Sequence, residues 1–101
     1  MEVLVIVTTE SSKTNASRLA KLLVQNKLAA CVSIKEIFSV CPWDGDIEET
    51  KEFEITIKSK PEFKDYLIDF LNKISSYDVP QIIYKKYYSE MKYYDWINKT
   101  I

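Results

Sequence analysis

Residues 2–8, Glu-Val-Leu-Val-Ile-Val-Thr, constrain the fold most strongly, because every position from Val3 to Val7 is apolar. Successive side chains of a strand point to opposite faces of its sheet, so this strand would present apolar residues to both faces. Such a run is typical of a central strand that is covered on both sides. The sequence therefore predicts a sheet with residues 2–8 inside it and two faces that need cover.

Two later segments have the spacing of amphipathic helices. In each, apolar residues recur at intervals of three and four: Ala16, Leu19, Ala20, Leu23 and Val24 in the first, and Phe63, Tyr66, Leu67, Phe70, Leu71 and Ile74 in the second. Ser11 or Ser12 is the expected N-cap of the first helix. Pro61 suits the first turn of the second, because proline is favoured where the helix has no partner for its N–H.

The remaining segments are extended, apart from a short C-terminal helix. Residues 28–40 form a long strand whose alternation becomes unclear near Lys35 and Glu36, where we expect a bend or bulge. Residues 52–58 alternate cleanly and predict a half-buried strand. Residues 81–86 predict a short last strand, and Ser89 is the expected cap of a helix that carries Tyr93, Trp96, Ile97 and Ile101 near one face.

The element order is therefore β-α-β-β-α-β-α, in a single domain over residues 1–101. Its first six elements follow the ferredoxin-like split βαβ plan of an α+β fold, with an extra C-terminal helix and a long β-hairpin. Two helices shield only one face of the sheet, although the first and last strands are apolar on both. An uncovered apolar face and an overhanging hairpin favour aggregation, so we expect the chain to associate with copies of itself.

Composition excludes several classes of function. Lys and Arg number 14 against 15 Asp and Glu, so the net charge of −1 offers no general attraction to nucleic acid or to an anionic membrane. No apolar run approaches the ~18 residues of a membrane-spanning helix. The N-terminal residues lack the basic region of a signal peptide. A cytoplasmic protein with neither nucleic acid nor membrane as partner is expected.

The chain contains one glycine, Gly45, and no histidine. A single glycine excludes the glycine-rich phosphate loops, which need at least two. Without histidine, Ser-His and Cys-His nucleophile pairs are impossible, and the commonest general base and transition-metal ligand is missing. The remaining chemistry is a Lys, Tyr or carboxylate pair, and no spacing places such a pair in a cleft. We therefore expect no enzyme and assign no catalytic residue.

Residues 41–49, Cys-Pro-Trp-Asp-Gly-Asp-Ile-Glu-Glu, combine a thiol with four carboxylates. The Asp44-Gly45 pair favours a type I′ turn, so the segment is interpreted as the hairpin tip. The alternative is a cation site, but few oxygens on a mobile tip fall short of the 6–8 that calcium prefers. Cys31 and Cys41 on one strand would lie ~33 Å apart, too far for a disulfide.

Five motifs extend over nearly the whole chain: LAACVSI (28–34), WDGDIEE (43–49), ITIKS (55–59), YDVPQII (77–83) and YYDWI (93–97). In order and spacing they resemble the signatures of the CutA divalent-ion tolerance family. The resemblance implies a homotrimer of ferredoxin-like subunits whose hairpins pair between chains, with a fold similar to that of PII-type signalling proteins. It also implies a non-enzymatic role in copper or other divalent-metal tolerance.

The positions that match the family and carry polar or aromatic groups are Trp43, Glu48, Lys58, Tyr77 and Asp78. The resemblance implies that such residues gather in clefts between subunits, where they would hold a small anionic ligand, as in a PII-like signalling trimer. The alternative is that Lys58 pairs with a neighbour's Glu48 or Glu52 and that Tyr77 packs with its hydroxyl bonded.

The Cys and His positions proposed as copper ligands in relatives are not matched here, so no metal ligand is assigned. No cofactor is certain. Copper or another divalent cation is expected to bind weakly at best, because histidine is absent. A Cu(I) site needs at least two soft ligands, so Cys31 or Cys41 would have to meet the cysteine of another copy.

Overall fold

The computed structural model describes all 101 residues. A four-stranded antiparallel sheet has the strand order β2-β3-β1-β4. The elements, in chain order, are β1 (Glu2–Glu10), α1 (Lys13–Gln25), β2 (Cys31–Trp43), β3 (Asp46–Ser59), a 3₁₀ turn (Pro61–Phe63), α2 (Lys64–Ile74), β4 (Ile83–Tyr88) and α3 (Met91–Thr100). The predicted α+β, ferredoxin-like order with an extra C-terminal helix and a long hairpin is confirmed. No helix is long and apolar enough to span a bilayer.

The main core lies between one sheet face and the helices α1 and α2. Leu4, Ile6, Ile55 and Ile57 are fully buried there, against helix residues Ala16, Leu19, Leu23, Leu67 and Leu71. Burying each large aliphatic side chain contributes about 1.5–3 kcal/mol. The hydroxyl of Ser12 accepts a hydrogen bond from the Asn15 N–H at 3.1 Å, which confirms one of the two predicted N-caps.

The opposite sheet face, which we call the open face, is only partly covered. There Ile97 of α3 packs on Val3 and Ala30, so the third helix closes one end of it. Farther along β1, Val5 and Val7 remain half-buried. On the edge strand β4, Ile83 is 58% exposed and Tyr87 is 51% exposed. The predicted shortage of cover is therefore present, although α3 reduces it.

The hairpin of β2 and β3 extends far beyond the rest of the sheet, and the molecule is 47 Å long. Pairing of β1 with β3 stops at Glu10 and Phe53, so residues 37–52 form an overhang. The register between β2 and β3 never shifts between Cys31 and Trp43. The predicted bulge near Lys35 and Glu36 was therefore wrong: their partners, Glu54 and Phe53, continue the ladder.

The hairpin tip is a two-residue turn, as predicted. Both central residues have positive φ, 49° at Asp44 and 80° at Gly45, which is the backbone requirement of a type I′ turn. The carboxylate of Asp46 accepts a hydrogen bond from the Ile47 N–H at 2.7 Å. The Asp46 carboxylate is therefore hydrogen-bonded to the backbone next to the turn.

Two boundaries near the C-terminus differ from the prediction. The last strand begins at Ile83 and ends at Tyr88, two residues later than expected, because its pairing with β1 starts opposite Val7. Ser89 does not cap α3. Its N–H bonds to the Met1 carbonyl and continues the sheet, so Glu90 takes the N-cap position.

Several helix residues also lie differently from the prediction. Val24 of α1, counted among the apolar periodic positions, is 45% exposed, and Tyr66 of α2 is 65% exposed. In α3, Trp96 is 46% exposed while Ile97 is buried. The spacing of apolar residues predicted the three helices. In each helix, however, fewer of these apolar residues are buried than the spacing suggested.

Candidate functional site

The five predicted site residues lie in three separate places within one chain. Trp43 and Glu48 are on the hairpin overhang, Lys58 is on the open face near the end of β3, and Tyr77 and Asp78 follow α2. Ten residues of strand separate Glu48 from Lys58, which corresponds to about 33 Å. A single chain therefore does not gather them, and any shared site requires more than one copy.

Lys58 lines a cleft on the open face. It lies opposite Val5 of β1 and Cys31 of β2, and it makes no ion pair within the chain. The cleft has a volume of about 330 Å³ and is lined by Val3, Val5, Lys58, Tyr87, Tyr88, Ser89 and Tyr93. A single cation among apolar and aromatic side chains is suited to a small anion.

Tyr77 is held by a carboxylate at the base of the overhang. Its hydroxyl donates a hydrogen bond of 2.6 Å to Glu52 Oε2. Burial raises the pKa of the Tyr77 hydroxyl well above its usual value, with the hydrogen bond to Glu52 and the negative charges of Glu52 and Glu10 acting in the same direction. The hydroxyl therefore stays protonated and hydrogen-bonded. This agrees with the alternative in which Tyr77 packs within the chain with its hydroxyl bonded.

Glu10 is the anchor of the loop that carries Tyr77. It is only 3% exposed, and its carboxylate accepts hydrogen bonds from the Ser76 N–H at 3.1 Å and the Ser76 hydroxyl at 2.6 Å. The loop is further ordered by the Tyr77 N–H, which donates to Ser75 Oγ at 3.1 Å. These bonds connect the end of β1 to the end of α2.

Sequence reasoning missed Glu10 entirely and considered Glu52 only as a partner for Lys58. Glu10 is a carboxylate at the end of an apolar strand, before two serines. Its carboxylate oxygens accept hydrogen bonds from Ser76, which lies 66 positions away in the sequence, and no periodicity predicts such a contact. Glu52 alternates with apolar residues and so resembles any solvated strand residue.

The other three candidates make no such contacts. Trp43 is 70% exposed at the hairpin tip, Glu48 is exposed opposite Cys41, and Asp78 is exposed without a hydrogen bond or ion pair from its side chain. On one chain these side chains bind nothing. The indole of Trp43 and the carboxylates of Glu48 and Asp78 are therefore exposed for contact with a partner.

No group of three or more Cys, Asp or Glu side chains lies close enough together to hold a metal ion. Both cysteines are free, and they lie ten residues apart on β2. Thiolate ligands for Cu(I) would therefore have to come from different copies of the chain.

Comparison with known proteins connects this geometry to a family. Residues 3–100 match the family described as CutA1 divalent ion tolerance protein. The divalent-cation tolerance protein CutA of Archaeoglobus fulgidus is 36% identical over 97 residues, which cover 95% of each chain. The chain spans only 44% of the chloroplastic CutA of Arabidopsis thaliana and 38% of human CutA.

Solved structures agree over the whole chain. The CutA structure from Synechococcus elongatus superposes with a TM-score of 0.95 at 31% identity, covering 98% of this chain and 89% of that one. The Archaeoglobus fulgidus CutA structure gives a TM-score of 0.91 at 35% identity, covering 99% and 98%. The family match over residues 3–100, the 36% identical relative and these superpositions show that this chain belongs to the CutA1 divalent ion tolerance protein family.

Proposed function

We propose that the protein is a non-enzymatic homotrimer, built from a single CutA-like domain over residues 1–101, that acts in divalent-cation tolerance. The observation that carries the proposal is the incompletely covered sheet of a chain whose relatives are named divalent-cation tolerance proteins. Copper is the first cation to test. A cytoplasmic location is part of the proposal and is tested by fractionation, because relatives are named chloroplastic and periplasmic.

Exposed apolar side chains support self-association. On the overhang, Phe38, Val40 and Ile47 lie on the face that continues the core side of the sheet, and they are 58–72% exposed. The open face adds Val5, Val7 and Ile83. Apolar patches of this kind on soluble proteins mark interaction sites or cause aggregation. Identical copies would cover both.

Sedimentation equilibrium at micromolar concentration tests the assembly. The expected mass is about three times the 11.8 kDa of the chain. A folded species at the mass of one chain would show that the open face is stable in water, and the trimer proposal would be wrong.

The cation role is tested by growth and by titration. Expression in a bacterium that lacks its own CutA protein should restore growth in elevated copper, with zinc and cobalt as parallel arms. Titration of the purified protein with Cu(I) and Cu(II) should show weak binding, because the chain offers thiols and carboxylates but no histidine. Unchanged growth in every metal would contradict the tolerance role.

The non-enzymatic part is supported by the composition of the cleft. The side chains around Lys58 include no carboxylate, so the cleft offers no acid–base pair of the usual kind. Tyr77 is the other candidate residue with an acidic proton, and its hydroxyl donates a hydrogen bond to Glu52.

A second candidate function is that of a PII-like signalling trimer that binds a small anion in the inter-subunit cleft. Lys58 favours it, because this lysine stands without an ion-pair partner in an aromatic cleft. Thermal-shift screening against nucleotides and metabolites tests this function. Stabilisation that disappears in Lys58→Ala would support it, and the absence of any hit would argue against it.

A further inference from the structure

Positive charge is concentrated on and around helix α1. Residues 11–35 contain five Lys or Arg residues and no Asp or Glu, although the whole chain has a net charge of −1. Three of these cations, Lys13, Arg18 and Lys21, lie on α1, and their side chains are exposed. The balanced composition of the chain therefore conceals a local excess of positive charge.

The excess charge lies on the side of α1 that faces away from the sheet. Ala16, Leu19 and Leu23 bury the opposite side of the helix in the main core. Because successive helix residues are rotated by about 100°, Arg18 and Lys21 point away from those three. The exposed apolar residues that self-association would cover lie on the open face and on the hairpin overhang. That association therefore does not require the outer side of α1.

The three cations line one shallow recess, which we call the α1 recess. Its volume is about 590 Å³, and its lining consists of Lys13, Thr14, Ser17, Arg18, Lys21, Leu22 and Gln25. Leu22 is the only apolar residue of the lining, and none of the seven is acidic. The recess thus offers cations and hydrogen-bond donors with little apolar surface, which suits a strongly hydrophilic anion.

The donors of the α1 recess form an elongated row. Lys13, Ser17 and Lys21 follow one another at intervals of four residues and so lie one above the other on the helix surface. The row from Lys13 to Lys21 is about 12 Å long. Side-chain hydrogen bonds at α1 occur only at its two ends, at Ser12 and Asn26, so the Ser17 hydroxyl is free to donate.

No carboxylate of the chain neutralises these cations. All four ion pairs of the structure involve other lysines. Glu36 lines a smaller cavity together with Lys13, but its carboxylate pairs with Lys51 at 3.3 Å. Like charges one helical turn apart repel each other, and the positive end of the helix dipole lies next to Lys13. A bound anion would relieve both kinds of repulsion.

The lining of the α1 recess also indicates which kind of anion fits. Helix α1 contains no aromatic residue, so it offers no surface on which nucleic-acid bases could stack. Its apolar stripe is buried in the core and is not available to enter a bilayer. A single phosphate ion would reach only part of a 12 Å row. A chain of phosphate groups without an apolar body matches both the length and the chemistry.

We propose that the α1 recess binds linear polyphosphate, with its phosphate groups at Lys13, Arg18 and Lys21 and with the Ser17 hydroxyl as an additional donor. The proposal goes beyond the tolerance function, because it requires neither a protein-bound cation nor the open face. Its failure would leave the trimer and the tolerance role unaffected, since sedimentation and growth test those separately.

Calorimetric titration of the assembled wild-type protein tests the length requirement. Orthophosphate and tripolyphosphate are compared at one low ionic strength, because salt screens exposed charges. Tripolyphosphate should bind about tenfold or more tightly, since it can reach two more cations and each exposed ion pair contributes about threefold. Equal affinity of the two probes would overturn the proposal without any variant.

Matched variants locate the site. Arg18→Gln and Lys21→Gln should each weaken binding of tripolyphosphate about threefold, and the double variant about tenfold. Lys99→Gln makes the same charge change at an exposed lysine of α3 that has no ion pair, and it should bind as the wild type does. Sedimentation and circular dichroism of each variant check that it assembles and folds as the wild type does.

The pattern of losses decides the location. Equal losses in all variants, Lys99→Gln included, would show a general effect of net charge and would overturn the proposal. Unchanged binding in the double variant would place the anion elsewhere and would also overturn it.

Two further probes test the identity of the ligand. Long-chain polyphosphate should bind more tightly than polyuridylate with a similar number of phosphate groups, and vesicles of phosphatidylserine and phosphatidylcholine should not bind. Tighter binding of polyuridylate, or binding of the vesicles, that is lost in the double variant would assign the recess to nucleic acid or to a membrane surface. Either result would overturn the choice of polyphosphate.

Discussion

Replacing Tyr77 with phenylalanine should destabilise the protein while leaving its fold intact. The change removes one hydroxyl, which donates a 2.6 Å hydrogen bond to the carboxylate of Glu52. Hydrogen bonds to charged groups contribute about 1.5–3 kcal/mol. Tyr77 is only partly buried and water can reach Glu52 in the variant, so we expect the lower end, a loss of about 1.5 kcal/mol at pH 7.

The same contact predicts how this loss depends on pH. The pKa of Tyr77 is raised in the native state, so its stabilisation is complete below the ordinary tyrosine pKa of about 10 and declines as the pH rises above that value. The wild type should therefore lose stability above pH 10 by at most about 1.4 kcal/mol per pH unit through this group, and the variant should not. The difference between the two proteins should shrink between pH 9 and pH 11.

Urea unfolding followed by circular dichroism at one fixed protein concentration measures both effects, because assembly makes stability concentration-dependent. Tyr94→Phe is the matched control: Tyr94 is also partly buried, but its hydroxyl makes no hydrogen bond within the chain, so a change below about 0.5 kcal/mol is expected. Equal losses in the two variants, or a difference between wild type and Tyr77→Phe that stays constant up to pH 11, would refute the reasoning.

Further predictions concern the core, the turn and the helix cap, and all are measured as free energies of unfolding in urea. Leu23→Ala should cost about 2–5 kcal/mol because Leu23 is fully buried, whereas Val24→Ala, at a 45% exposed neighbour, should cost less than about 1 kcal/mol. Gly45→Ala should cost about 1 kcal/mol because φ is 80° there, even though an added Cβ meets no atom within 4 Å; no loss would show that the turn relaxes. Ser12→Ala should cost about 1 kcal/mol through the lost N-cap, and an unchanged stability would contradict the capping role.

Local pattern accounts for most of the elements that the sequence predicted. The alternation of apolar and polar residues identified β3, and the three- and four-residue spacing identified α1 and α2, because side-chain periodicity follows directly from strand and helix geometry. The Asp44-Gly45 turn was predictable for the same reason: its backbone requirement is met by those two residue types. The boundaries of β4 and α3 could not be predicted from local pattern. They depend on which residues of β1 pair with β4 and on the hydrogen bond from the Ser89 N–H to the Met1 carbonyl.

The candidate site was predicted less completely. Lys58 was identified through its motif, but the sequence did not indicate that Lys85, 27 residues away, lies on the same sheet face, on the other side of their shared neighbour Val5. Tyr77 was identified as well, yet the roles of Glu52 and Glu10 depend on contacts over 25 and 66 residues. A motif identifies individual residues of a candidate site, but it does not show which residues elsewhere in the chain they contact in the fold.

The sequence by itself determined the kinds of elements, their order, the type I′ turn and an excess of apolar sheet surface, because each follows from interactions among near neighbours in the chain. Only the tertiary structure decided which face α3 covers, the unbroken register of the long hairpin, the burial of Glu10 and the placing of Lys58 and Lys85 on either side of Val5. These depend on strand pairing and packing between distant segments, where a shift of one residue would move every side chain to the opposite face.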